Sequence, residues 1–577
     1  MASSGRGRLH PYIPKLIKQL QGGKVDRREF LRTSTLLGVS SAAAYGIAGR
    51  ILGDGITEPA LAQDAEPKAG GTLRCSMSVQ EMTDPATFDW VEKSNVARHV
   101  GEYLTYTGPD NVTRPYLAER WEASDDLTTW TFYLRQGVKW NNGDDFTADD
   151  VVFNFTRWLD PKTGSSNQGL FAAMTEEYDT GEQGEDGKPK MGVRMRAGAV
   201  EKVDDHTVRL NMSQPVLAVA ENLYNYPTMI MHRAFEDNGA SLSAWPVGTG
   251  PYILAEFVVG EKAVLRKRDD AYWGQDLDDP IMGGPIYLDE IHYYDHGAAS
   301  TAQLAAIASD QVDTHYEFDI VSLPVAQSIP EATIHEVETA QCATMRFRTT
   351  EKPFDDQRVR RAIQLCCEAS RYPELVLQGR GTEAEHHHVA PNHPEYFKLA
   401  KLERNVEEAK KLLAEAGYEN GIEVSIDCGN TNGPWQQQCC ELLKEQCAEA
   451  GITININIMP ANNYWEIWDK TPFGITAWTH RPLGTMVLSL GYRSGVPWNE
   501  SAYANPAFDQ ALNAAEALLD IEERRAAMEK VEKILQDDAV MVQSPWIPKF
   551  FVAKNRVKNI QAHPTQYHQW HRVWIDA

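Results

Sequence analysis

Between Pro115 and Trp158 (PYLAERWEASDDLTTWTFYLRQGVKWNNGDDFTADDVVFNFTRW) the apolar period of the chain changes from two to nearly four. Trp130, Phe132 and Leu134 alternate with Thr131 and Tyr133, the pattern of a strand with one buried face. Asn141-Asn142-Gly143-Asp144 then supplies a turn, because Gly and Asn adopt positive φ at little cost. Thr147 followed by Asp150 is an acidic capping box that opens a helix. On that helix Val151, Phe155 and Trp158 form one apolar stripe. Gly70-Gly71-Thr72-Leu73 begins an earlier strand, and residues 203–212 (VDDHTVRLNM) alternate as another. The Gly- and charge-rich stretch 161–197 is predicted to be a surface loop.

From Gln341 onward amphipathic helices dominate. Asn405 caps one that ends at Gly417, with Leu412, Leu413 and Ala416 on its apolar side. A second runs from about Pro434 to Ala450 and stops at Gly451, and a strand (ITININI, 452–458) follows at once. Asp520 and Glu523 cap a third helix through about Gln536, and 540–552 returns to strand texture. Helix-then-strand units predict an α/β lobe. The chain contains no internal repeat.

At 577 residues the chain is too long for one core, so two or three domains are expected. Its net charge of −25 excludes nucleic acid and anionic membrane as partners. The charge is uneven, with residues 1–62 carrying +5 and the remainder −30. Asp26-Arg27-Arg28-Glu29-Phe30-Leu31-Arg32 is a twin-arginine export pattern, with Asp where Ser or Thr commonly precedes the pair. The apolar run Thr33 to Ile47 is too short and polar to span a bilayer permanently. Ala60-Leu61-Ala62 is an A-x-A cleavage site, predicting Gln63 as the first mature residue, and no Cys follows the apolar run to carry a lipid anchor. The expected location is a bacterial periplasm, reached in the folded state.

Four motifs in order carry a resemblance: LAERWEASDDLTTWTFYLRQGVKWNNGDDFTADDVVF, then PVGTGPY at 246–252, AYWG at 271–274, and VRRAI at 359–363 with Gly379 and Gly381 after it. Over residues 70 to 565 the chain resembles the bacterial solute-binding proteins of family 5, receptors of peptide, nickel and opine ABC importers. The resemblance implies an α/β, two-lobed periplasmic-binding-protein fold of type II with an additional subdomain in lobe I and a hinged cleft. It divides the chain into a signal peptide (1–62), lobe I (63–108 and 198–339), the added subdomain (109–197), lobe II (340–540) and a return segment (541–577). Such a clamp closes on a small-molecule or peptide-like ligand and delivers it to ABC permease subunits in the inner membrane. The implied protein is a monomer with no cofactor and no catalytic role.

In dipeptide-binding relatives the window matching Phe473–Asn499 holds a Trp followed shortly by an Asp for the peptide ammonium. Here Trp478 is kept, but Thr479-His480-Arg481-Pro482 replaces the acid. A guanidinium there suits a carboxylate or phosphate instead. The place of the carboxylate-binding Arg of relatives reads Asn430-Thr431-Asn432-Gly433-Pro434-Trp435, without one. The expected ligand is therefore a modified peptide, an opine-like conjugate or another carboxylated solute. The candidate ligand-binding residues are Trp478, His480, Arg481, Trp435, Asn432, Tyr464, Arg493 and Trp498, since such clefts combine aromatic walls with a few polar groups.

Two alternatives remain open at this point. His386-His387-His388 with His393, Glu383 and Glu385, together with His480, make a metal or metal-chelate receptor conceivable, although the spacing matches no closed site and a solvated loop is the expectation. An exported enzyme is the other, although the chain has no Gly-x-Ser-x-Gly, His-Glu-x-x-His or phosphate-binding Gly loop. The eight cysteines include no C-x-x-C. Cys428 bridged to a cysteine on the next helix and a set of buried free thiols are both compatible with them.

Overall fold

A computed structural model of the chain describes residues 9–53, 66–183, 189–277, 279 and 281–576. One sheet runs through the whole molecule in the order Tyr252–Val258, Lys262–Lys267, Glu290–Tyr294, Thr72–Ser76, Thr314–His315, Ile547–Lys554, Ala332–Phe347, Phe473–Trp478, Ile422–Cys428, Ile452–Ile458. The strand Ala332–Phe347 belongs to both halves. Residues 332–341 pair with Ile547–Lys554, and Cys342–Phe347 pair with Phe473–Trp478, with a register slip between Val337 and Gln341. The chain returns through Met541–Gln543, which also pairs with Ala332–Phe347. Residues 342–543 thus form a second lobe entered and left at one edge, and the buried cluster around Phe347, Phe473, Ile426 and Leu443 continues across the crossing to Ile307 and Phe318 of the first lobe.

The motif region builds the added subdomain. Strand Thr129–Leu134 buries Trp130, Phe132 and Leu134 and lies between Ala118–Ala123 and Thr207–Asn211. The capping box of helix Ala148–Trp158 is complete in both directions, and Asp150 also pairs with Arg233 at 3.1 Å. Val151, Phe155 and Trp158 are fully buried, each stabilising the fold by about 1.5–3 kcal/mol.

Two expectations need correction here. The stretch 161–197 is not all surface loop. Residues 165–171 are buried, with helix Asn167–Leu170 seated against the second lobe's helix Gly484–Gly491. A Cβ on Gly169 would stand 2.5 Å from the Ser489 carbonyl, so only glycine allows that approach. Only the hairpin of Thr175–Gln183 and Pro189–Met195 projects outward. The subdomain also passes the boundary drawn at 197, because Val200–Asp204 and Thr207–Asn211 complete its four-stranded sheet.

The basic N-terminal region folds as helices Ile13–Gln21, Arg27–Leu36 and Ser41–Leu52 against the body. Ala60, Leu61 and Ala62 lie outside the described residues. Among the described residues no helix is long and apolar enough to cross a membrane. All eight cysteines are buried free thiols, and the Cys428 thiol donates to Asn430 Oδ1 at 3.4 Å.

The PVGTGPY motif is a close-packing device. Ideal Cβ atoms at Gly248 and Gly250 would meet backbone at 1.9 Å (Val100 O) and 2.6 Å (His99 O). Gly248→Ala is therefore expected to destabilise the protein by about 1–3 kcal/mol or more, the cost of overpacking, measured as a lower midpoint of urea unfolding.

Candidate functional site: the interlobe cleft

The carboxyl ends of the parallel strands Thr72–Ser76 and Thr314–His315 in the first lobe, and of the oppositely running Ile422–Cys428 in the second, point towards one region, and ligands of open α/β sheets bind at such strand ends. The loops that follow them enclose a cavity of about 190 Å3. The first lobe contributes Trp90, Glu92, Tyr316 and Glu317, the second Asn432, Trp435 and Trp465, and the crossing strand Lys549. Trp90 precedes helix Val91–Ala97 and Trp465 ends helix Ala461–Trp465. Their rings touch across the lobes, 5.8 Å between centroids at 45°.

A polar network ties the cavity wall to the hinge. Glu317 is bonded by Lys549 Nζ and by the Asn432 amide, and Gln566 Nε2 donates to it at 2.9 Å. Lys549 also donates to Asn432 Oδ1 at 3.0 Å, and Trp435 Nε1 donates to the Asn432 carbonyl at 2.6 Å. Glu92 takes a bond from Gln80 Nε2 at 3.2 Å. Burial, then the neighbouring Glu317 and Asp295, push the Glu92 carboxyl up to about 8, so at neutral pH it mostly keeps its proton.

Beyond Trp90 and Trp465 lies a smaller compartment lined by Trp478, Trp498, Trp468, Tyr226 and Arg481. Trp478 ends strand Phe473–Trp478, and its Nε1 donates to Glu500 Oε1 at 2.7 Å. Glu500 is fixed in turn by Arg346 at 2.9 Å and by the Thr476 hydroxyl. Arg481 is only 2% exposed. One of its terminal nitrogens bonds the Thr479 side chain and nearby carbonyls, its Nε has no partner, and its guanidinium lies 5.0 Å from the Tyr226 ring centroid. Among the described residues it makes no ion pair.

The cleft therefore collects Asn432, Trp435, Trp478, Arg481 and Trp498 from the expected set, and three residues fall elsewhere. Tyr464 is fully buried in the second lobe, its hydroxyl 2.8 Å from Thr476 Oγ1, and acts in packing. Arg493 is satisfied by Glu516 at 2.8 Å, Ser489 at 3.1 Å and Asn513, outside both compartments. His480 accepts the Ala340 backbone N–H at 2.9 Å, and burial drives its pKa well below the ordinary value, leaving it neutral beside the hinge.

The histidine run is not a solvated loop. His386, His387, His388 and His393 are all buried. His386 accepts the Gln543 N–H, His388 bonds the Tyr492 hydroxyl at 2.8 Å, and His393 accepts the Ala390 N–H while donating to the Arg481 carbonyl. They brace the wall behind Arg481, and among the described residues no group of three metal-ligating side chains converges. Sequence reasoning missed Trp90, Glu92, Glu317 and Lys549. Of these only Glu317 had a positional signal, directly after the strand Thr314–His315.

Comparison with known proteins accords with this arrangement. The family model described as bacterial extracellular solute-binding proteins, family 5 (middle part), matches residues 113–520, and the chain belongs to that family. Heme-binding protein A of Haemophilus influenzae is 27% identical over 80% of this chain and 84% of its own. The periplasmic oligopeptide-binding protein OppA of Escherichia coli is 26% identical over 87% and 92%. The fold matches the periplasmic binding protein DppA from Helicobacter pylori in complex with a peptide (TM-score 0.75, 21% identity, 88% and 99% covered). It equally matches AgaA from A. tumefaciens R10 in complex with agropinic acid (TM-score 0.75, 23% identity, 88% and 99% covered).

Glu92 makes the cleft sensitive to pH. Because its folded-state pKa is raised from 4.5 to about 8, its contribution is fully present below pH 4.5 and is lost as the pH rises through 8. Glu92→Gln is expected to flatten that part of the decline in melting temperature between these pH values, read by comparing thermal scans of the variant and the parent.

Proposed function

We propose that this family 5 protein is the periplasmic substrate-binding component of a bacterial ABC importer, and that it captures an organic solute through a carboxylate. The observation that carries the ligand reading is Arg481, buried without a counter-ion in an aromatic compartment open to the cleft. Elsewhere in the cleft Glu317 is paired with Lys549, Arg380 is paired with Glu336 and Glu92 mostly holds its proton, while Asp319 takes bonds from the Ser300 and Ser322 hydroxyls. A cation taken from water without a partner costs several kcal/mol. A ligand carboxylate laid along the guanidinium removes that cost and gains two charge-assisted bonds. The ligand thereby favours the closed arrangement, which is what couples capture to closure.

Opine-type acids and peptides bound in reversed polarity both meet this requirement. The indoles of Trp478 and Trp498, 5.9 Å apart and nearly perpendicular, offer apolar walls for the part of the solute next to its carboxylate. Delivery to inner-membrane permease subunits and export by the twin-arginine route belong to the same proposal, supported by family membership and by Arg27-Arg28 at the start of a helix.

Two measurements test it. Native mass spectrometry of gently purified protein, followed by release of the bound molecule, is expected to yield a carboxylated solute. Arg481→Met should weaken that solute about 10- to 150-fold, the ~1.5–3 kcal/mol of hydrogen bonds to a charged group. A ligand held equally well by the variant overturns the reading. Replacing Arg27 and Arg28 by Lys is expected to leave the protein folded but retained in the cytoplasm, scored by fractionation of expressing cells.

A further inference from the structure

The segment with the features of an export leader is seated on both lobes at once. Arg32, 1% exposed, lies between Glu29 of its own helix at 2.9 Å and Glu221 of the first lobe at 3.3 Å. Arg524 of the second lobe reaches the same Glu29 at 3.0 Å. All four side chains are at least nine-tenths buried. Around this quartet the attachments divide by lobe. To the first lobe, the Leu36 carbonyl accepts Trp121 Nε1 at 2.9 Å and the Tyr45 hydroxyl donates to Asp110 at 2.6 Å. To the second, Lys15 at 2.9 Å and Gln19 at 2.8 Å both reach Asp520, the cap of helix Ile521–Asp537.

Parting the lobes with this segment in place would strip Arg524 or Glu221 of its partner inside a water-poor seam. Breaking one side of a buried pair leaves an uncompensated charge away from water, so the seam resists opening. We propose that residues 9–53 are a strap that holds the clamp closed, and that the cleft opens freely only once the strap has left. The proposal rests on the reading that the lobes part to admit a solute. Arg28 stays exposed, while Arg27 is half-buried 5.3 Å from the Tyr45 ring centroid and Phe30 and Leu31 are buried.

The test uses the full chain carrying a specific protease site within residues 54–65. Hydrogen exchange at 430–435 and 461–465 and the small-angle scattering radius are measured before and after cutting, without ligand. Release of the strap, seen by native mass spectrometry, is expected to raise exchange in both segments several-fold and to enlarge the radius. Release with neither change overturns the proposal, as does a strap that stays bound while the lobes open. A second variant, Asp520→Asn with Arg524→Leu in the uncut chain, loosens only the second-lobe side. It should raise exchange at 461–465, and faster exchange confined to 13–36 counts against the strap. Arg481→Met separates the two proposals, since it weakens solute binding without altering strap exchange.

Discussion

One strand changes partners in mid-course, and the rest of the molecule depends on it. Ala332–Phe347 belongs to the first lobe up to its register slip and to the second beyond it. At that crossing a carboxylate from one lobe, an ammonium from the returning strand and an amide from the other lobe meet as Glu317, Lys549 and Asn432. Loss of any one leaves charge or amide without a partner beside the cavity, so hinge geometry and cleft composition are a single problem. The cavity lies where it does because the carboxyl ends of Thr72–Ser76 and Thr314–His315 in the first lobe face the carboxyl end of the oppositely running Ile422–Cys428 in the second.

The charges of the cleft make sense in this frame. Glu317, Lys549 and Arg380 near the hinge are paired and Glu92 mostly holds its proton, whereas the Arg481 guanidinium, without an ion pair among the described residues, sits further out, behind the Trp90 and Trp465 indoles. Its wall is braced by histidines held uncharged by burial. A neutral imidazole can accept a backbone N–H, as His386 and His393 do, without adding a second positive charge beside Arg481.

Local features were legible in the sequence and distant pairings were not. Trp130, Phe132 and Leu134 declare their strand through period alone, and Thr147 with Asp150 declares a cap within four residues. Arg481 stood out because the family resemblance implies an acid in its place. Arg493 gave the same local impression, but its partner Glu516 comes from another helix and only the fold joins them. The His386–His388 run looked solvated because its partners Gln543 and Tyr492 lie more than 100 residues away. Residues 165–171 look like loop by composition, yet Gly169 is the contact point of two helices, and small size is what that contact needs. Glu92 and Glu317 carry no motif at all.

The contact between Trp90 and Trp465 has a spectroscopic consequence. Two indoles 5.8 Å apart and inclined at 45° are close enough for their excited states to mix, and they come from opposite halves of the clamp. Near-ultraviolet circular dichroism should therefore carry a coupled band that vanishes when the halves separate. The molecule contains its own optical gauge of closure, with no label attached.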